Sequence, residues 1–327
     1  MTTILIILVL LSVGFDFLNG FHDSSNIVAT IIFSKAMPPR LALTLTAIAE
    51  FSGPFLFGVA VAKTIGEGIV RPGTVSVAVV LAALLAAIVW NLFTWYFGIP
   101  SSSSHALIGG VIGAVSASVG PQAILLPGLA KVLVALFISP VLGLVVGFLF
   151  TRLVFFLARK ASNRINWFFK RIQVITGIGL ALSHGANDAQ KTMGVITLGL
   201  VSAGYLDHFA VPTWVIALSA GGIALGTITG GWRLIRTLGA KFYKVRPVHG
   251  FASQVSSAIV ILGGALLGAP VSTTQVVSSA ILGVGSAERV SKVRWGVMYS
   301  IAVAWLLTIP ATAGVSALIV LILNAVM

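Results

Sequence analysis

Asp23 and Asn26 stand three residues apart inside a long apolar run, and Asp188 and Lys191 repeat that spacing inside another. Side chains at i and i+3 share a helix face, so each pair can act as a unit. Asp23 with Asn26 offers a carboxylate and an amide, hard oxygens suited to Na⁺ or a proton. Asp188 with Lys191 differs, because the ammonium can reach the carboxylate and stand where a mobile cation would otherwise sit. The plainer alternatives are a polar network that fixes helix packing and a lysine that snorkels toward an interface. An acid at membrane depth is costly and usually functional, which favours ion sites at Asp23 and Asp188. Gly20 and Gly185 precede the two acids, and a helix break at each would free backbone oxygens beside them.

A second pair of motifs supplies groups for an anion. "GIPSSSSH" covers residues 98–105 with Ser101, Ser102, Ser103 and Ser104, and "GAPVSTTQ" covers 268–275 with Ser272, Thr273 and Thr274. Proline suits a first helical turn and Ser or Thr suits the N-cap. Each motif therefore reads as the start of a short helix whose free N–H groups and hydroxyls lie within the membrane. Such a helix end binds phosphate or sulfate through hydrogen bonds and the dipole, without a buried arginine. Two of them can face each other across a tetrahedral oxyanion.

The elements that carry these motifs must lie in lipid. The chain is 58% hydrophobic and 8% charged, with a mean hydropathy of +1.09, too few charges to cover a water-soluble surface. No acidic residue, lysine or arginine lies between Arg71 and Lys131, between Arg246 and Glu288, or beyond Arg294. The first apolar run lacks a basic leader and a small-residue cleavage site, so it reads as a mature first helix. With no cysteine, the chain has neither disulfides nor thiolate metal sites.

Spans fall at 2–34, 40–62, 74–97, a segment at 101–127, and 131–157. They continue at 171–205, 212–232, 248–268, a segment at 272–288, and 294–323. Two basic residues at Lys35 and Arg40, six from Arg152 to Arg171, five from Arg233 to Arg246 and three from Arg289 to Arg294 lie on one side. Lys63, Arg71 and Lys131 lie on the other. The positive-inside rule makes the basic side cytoplasmic and places both termini outside. The net charge of +13 therefore reports topology, and nucleic acid is excluded as a partner.

The motifs recur in order. "NGFHDSSN" at 19–26 matches "HGANDAQK" at 184–191, and the two serine-rich motifs follow at a nearly equal offset. The fold expected is an all-α polytopic membrane protein of roughly 10–12 membrane helices, with broken helices and two re-entrant segments. Residues 1–151 form a first repeat, 152–171 a basic cytoplasmic linker and 172–327 a second repeat of inverted topology, together one transport domain. Inverted repeats with a midplane site are the architecture of secondary transporters.

In these motifs the sequence resembles the inorganic phosphate transporter (PiT) family, and its bacterial branch in particular. "GFHDSSN" and "GANDAQK" are variants of the family's duplicated G-A-N-D-V-A-N signature, and "PSSSSH" and "PVSTTQ" match its P-x-S-[ST]-[ST]-H motif. The resemblance implies a symporter in the cytoplasmic membrane of a prokaryote, importing inorganic phosphate with a cation, H⁺ favoured over Na⁺, and no other cofactor. It implies that Ser101–Ser104, Ser272, Thr273, Thr274 and Asn187 bind substrate. Asp23, Asn26, Asp188 and Glu50 would serve the coupling ion, with Na⁺ held by Asp23, Asn26 and Asp188. Lys191 stands where the second signature ends in asparagine, and its part in coupling is read from its spacing to Asp188. Glu50 matches a glutamate of many members, whereas Gln254 stands where many have a second one. Gln275 replaces the motif histidine, so His105 is given no essential role.

The expected partners are phosphate and membrane lipid, and a homodimer is an admissible assembly. An intramembrane hydrolase is disfavoured, because no spacing singles out one serine with a base and an orienting group. A channel is disfavoured by discontinuous helices in inverted halves. Sulfate, or Na⁺-driven phosphate, is the alternative cargo or coupling. Two retained aspartates favour phosphate, which can donate a hydrogen bond to a carboxylate where sulfate cannot.

Overall fold

The computed structural model describes residues 2–71, 73–162, 164–232, 234–236 and 246–326. Asn163 in the linker, and Arg233, Lys241 and Lys244 among the basic residues assigned to the cytoplasm, lie outside the described residues.

The first half runs α1 (Thr2–Phe33), α2 (Pro39–Phe57), α3 (Ala60–Gly68), α4 (Val77–Phe97), α5 (Ser103–Ser118) and α6 (Leu126–Leu157). The second runs α7 (Ile165–Ser202), α8 (Thr213–Thr229), α9 (Pro247–Leu266), α10 (Thr273–Glu288) and α11 (Trp295–Val326). Both halves begin with a long polar-centred helix. Each then places a short serine-capped helix before a long apolar one with an internal proline, Pro140 or Pro310.

Among the described residues five helices, α1, α4, α6, α9 and α11, are long and apolar enough to cross a bilayer, and α2 with α3 makes a sixth when counted as one span bent by 74°. The chain is an integral membrane protein. At 16 residues each, α5 and α10 extend about 24 Å at 1.5 Å per residue, short of a hydrocarbon core of about 30 Å. Their starts are set by the chain entering them. Gly98 (φ +66°) closes α4 and Gly268 (φ +63°) follows α9, each in the left-handed region that glycine enters without steric cost. A proline and an N-cap serine, Ser102 or Ser272, then open the next helix, the serine hydroxyl accepting the backbone N–H three residues on.

The two halves interlock. α1 packs on α8, α2 on α7, α5 on α11 and α10 on α6, so these eight helices pack across the halves.

The expected breaks at Gly20 and Gly185 do not occur, since α1 and α7 run through both glycines without interruption. The glycines serve close helix approach instead. A Cβ at Gly185 would stand 2.1 Å from the Glu50 carbonyl oxygen on α2, and one at Gly20 the same distance from the Ile223 carbonyl on α8. Ser24 and Ser25 are satisfied without unwinding, donating to the Phe21 and His22 carbonyls one turn back. The helix discontinuities lie elsewhere, at the α2–α3 bend and in the extended stretches that lead into α5 and α10.

Candidate functional site

The N-termini of α5 and α10 meet at their caps. Ser272 Oγ donates to Ser102 Oγ at 2.8 Å, and Ser102 Oγ also lies 2.8 Å from His105 Nδ1. His105 Nε2 and Gln275 Nε2 are 3.4 Å apart. Residues related by the repeat offset of 170 therefore touch each other, Ser102 with Ser272 and His105 with Gln275. This places two helix N-termini, each with partial positive charge, against one another in the protein interior.

The carboxylates of α1 and α7 stand beside this junction. Thr273 Oγ1 donates to Asp188 Oδ2 at 2.9 Å and lies 3.3 Å from Asp23 Oδ2, bridging the two acids. Asp23 Oδ1 accepts from Thr274 at 2.7 Å and from Asn26 Nδ2 at 2.8 Å. Lys191 Nζ donates to Asp188 Oδ1 at 2.5 Å, Ser104 Oγ at 2.6 Å and the Val271 carbonyl at 2.8 Å. The triads correspond and each spans both halves: Asp23 and Asn26 of the first half take Thr274 from the second, and Asp188 and Lys191 of the second take Ser104 from the first. What differs is the charge, an amide in the first and an ammonium in the second.

His184 joins both acids to Glu50. Its Nε2 lies 3.6 Å from Asp23 Oδ2 and 3.5 Å from Asp188 Oδ2, and its Nδ1 lies 2.8 Å from Glu50 Oε1. These are ion-pair distances without hydrogen-bond alignment, since both ring nitrogens and both Glu50 oxygens lack a properly directed partner. Asp23, His184 and Asp188 each bring one ligand atom within 4.8 Å of the others, close enough to share one cation. All three are buried.

The residues read as an anion grip divide. Ser103 Oγ is buried and unpartnered at the start of α5, and Asn187 Oδ1 is unpartnered too. Ser102 and Ser272 are engaged as caps. The Thr273 and Thr274 hydroxyls are directed onto the carboxylates, so an anion would have to draw them away by side-chain rotation. Ser104 serves Lys191, and Ser101 turns to Thr94 at 2.8 Å, with His22 behind it. Asn26 Oδ1 is unpartnered, which leaves one neutral oxygen beside Asp23 for a cation.

His184 is the central residue that was not assigned from sequence, although it lies four residues before Asp188 and so on the same helix face. The helix contacts also pair Glu50 with a residue of the second half. Glu50 packs at Gly185 where Ile223 packs at Gly20, so Ile223 occupies the matching place and the second half lacks an acid there. Gln254 lies on α9, bonded to Thr176 and Thr30.

A family profile described as "Phosphate transporter family" matches residues 19–316. The chain is 45% identical over 317 residues to a protein of Rhizobium meliloti named "Probable low-affinity inorganic phosphate transporter", covering 96% of this chain and 95% of that one. A protein of Bacillus subtilis with the same name is 44% identical, covering 98% and 97%. A solved structure titled "The sodium-dependent phosphate transporter" superposes with a TM-score of 0.90 at 27% identity, over 99% of this chain and all of that one.

Proposed function

We propose that this chain, which belongs to the phosphate transporter family, imports inorganic phosphate across the cytoplasmic membrane in symport with a cation, H⁺ in preference to Na⁺. The observation that carries the reading is the meeting of two helix N-termini beside two carboxylates. Ser103 and the backbone N–H groups of the two helix starts meet the anion there, the Thr273 and Thr274 hydroxyls rotate to join them, and Asp23 and Asp188 take the cation or accept a hydrogen bond from protonated phosphate. Loading one partner changes the field at the other, because the carboxylates share Thr273. In a dry site that coupling is stronger than in water.

Lys191 supports the proton. It supplies a fixed positive charge to Asp188, leaving Asp23, Asn26 and His184 for one mobile cation. The sodium alternative is supported by the solved relative, whose title calls it sodium-dependent. Sulfate is the competing anion, and excess unlabelled sulfate should leave labelled phosphate uptake unchanged.

Ser103 tests the anion grip. Ser103→Ala removes a buried hydroxyl with no structural partner, so folding should be unaffected. A hydrogen bond to a charged group is worth about 1.5–3 kcal/mol, and the half-saturating phosphate concentration should rise about ten-fold. Wild-type uptake kinetics would remove Ser103 from the site.

The inverted arrangement of the halves is tested by labelling. The chain has no cysteine, so single replacements give a clean signal. Ser162→Cys in the basic linker should resist an impermeant thiol reagent in intact cells, whereas Thr74→Cys should react. Both positions are exposed. Equal labelling of the two from outside would refute the inversion and the placement of both termini there.

A further inference from the structure

A second buried acid lies on α1, seven residues before Asp23 and so about two helical turns away. Asp16 is fully buried, and neither of its carboxylate oxygens has a hydrogen-bond partner. It packs against Gly222 of α8. The hydroxyls of Thr192 on α7 and Ser219 on α8 stand beside it without closing a hydrogen bond of normal length and angle. Both hydroxyls are buried and otherwise unengaged. Ser12 and Asn19, four residues before and three after, share the Asp16 face of α1, and Ser12 Oγ and Asn19 Oδ1 are also buried and unpartnered. Three helices thus bring six unsatisfied oxygen atoms to one interior region.

No basic group answers them among the described residues. Nothing on α8 titrates. On α7, Lys191 is turned to Asp188 and Ser104, His184 to Glu50 and the two aspartates, and Asp188 adds a like charge. Along α1 itself the next titratable groups are His22 and Asp23, and α4 offers only the exposed Tyr96. Glu50 of α2 faces His184. A buried carboxylate with no counter-ion, and with its two neighbouring hydroxyls not aligned on it, is too costly to leave bare. One negative charge in an all-oxygen surround matches one monovalent cation, whereas a divalent ion would leave excess charge and ordinarily draws on more carboxylates.

We infer that Asp16, with Thr192 and Ser219, is the loading site of the coupling cation, a proton or Na⁺, on the N-terminal side of Asp23. The inference rests on the cation-coupled transport proposed above and adds a station to it. A cation held at Asp16 is two turns of α1 from the Asp23–Asp188 pair, and the α7 residues Thr192 and Asp188 lie one turn apart between the two places. With the N-terminus outside, the cation would load from that side.

The experiment uses purified full-length protein in liposomes with labelled phosphate, in three arms. One imposes a pH gradient without Na⁺, one a Na⁺ gradient at equal pH, and one measures phosphate–phosphate exchange without a gradient. The gradient that drives the wild type identifies the cation. Asp16→Asn should lower accumulation on that gradient at least ten-fold, while exchange, which requires no net cation movement, persists. Accumulation by Asp16→Asn at the wild-type level on both gradients overturns the site. Should Asp16→Asn also fail in exchange, Ser219→Ala decides. It should raise the half-saturating concentration of the driving cation about ten-fold, the scale of one lost contact to a charged group. An unchanged cation dependence then overturns the site. Wild-type protein that exchanges phosphate but accumulates none on either gradient overturns the cation coupling and this site with it.

Discussion

Asp23→Asn is expected to reduce gradient-driven phosphate accumulation to background while the protein still inserts and purifies normally. The substitution keeps the shape of the side chain and removes its charge. In the native site Asp23 accepts from Thr274 and Asn26, with the Thr273 hydroxyl 3.3 Å away. An amide in its place accepts through one atom only and turns an N–H₂ group toward neighbours that also donate. Hydrogen bonds to a charged acceptor are worth about 1.5–3 kcal/mol each. Losing two of them, together with the charge a cation needs, corresponds to a fall of at least about 100-fold, at 1.36 kcal/mol per factor of ten. Uptake of labelled phosphate into liposomes checks this, with protein yield and elution profile as the folding control. Residual uptake above a tenth of the wild-type rate would remove Asp23 from the coupling step.

Lys191→Asn is expected to exchange one coupling for another. It places an amide where the matching position of the first half has Asn26, and so makes the two triads alike. Removing one partner of a buried ion pair costs about 3–5 kcal/mol because the other charge is left uncompensated. Asp188 would then need a mobile cation of its own. Proton-driven uptake should fall by about ten-fold or more, and added Na⁺ should stimulate what remains. Lys191→Ala should lose the proton-driven component without the gain, because it offers no replacement oxygen. Normal transport by Lys191→Ala would mean that the lysine only secures α7 against Ser104 and the Val271 carbonyl.

Much of this site was legible because the chain states it twice. The offset of 165 between Asp23 and Asp188 and of 170 between Ser102 and Ser272 marked the motifs as a matched set. The Ser102–Ser272 contact is the spatial form of that match. Helix starts at Ser103 and Thr273 followed from proline and serine, which are local signals. The features that were not legible depend on what lies across a helix interface. Gly20 and Gly185 read as helix breaks because a glycine beside an acid suits either an unwound turn or a close backbone approach. Only the carbonyls of Ile223 and Glu50 decide between them. His184 was passed over for the same reason: its importance comes from Glu50 and Asp23, both remote in sequence. The directions of the Thr273 and Thr274 hydroxyls likewise follow from which carboxylate stands nearer, and no spacing encodes that. Asp16 lies outside every motif, and only its burial without a partner sets it apart.

The most direct test of phosphate–cation symport is uptake of labelled phosphate by the purified wild-type protein in liposomes, with H⁺ and Na⁺ gradients imposed separately. Symport with protons requires accumulation above the external concentration when the interior is alkaline and Na⁺ is absent. It also requires collapse of that accumulation by a protonophore and no competition from excess sulfate. Downhill equilibration of phosphate that neither gradient can drive further would contradict it.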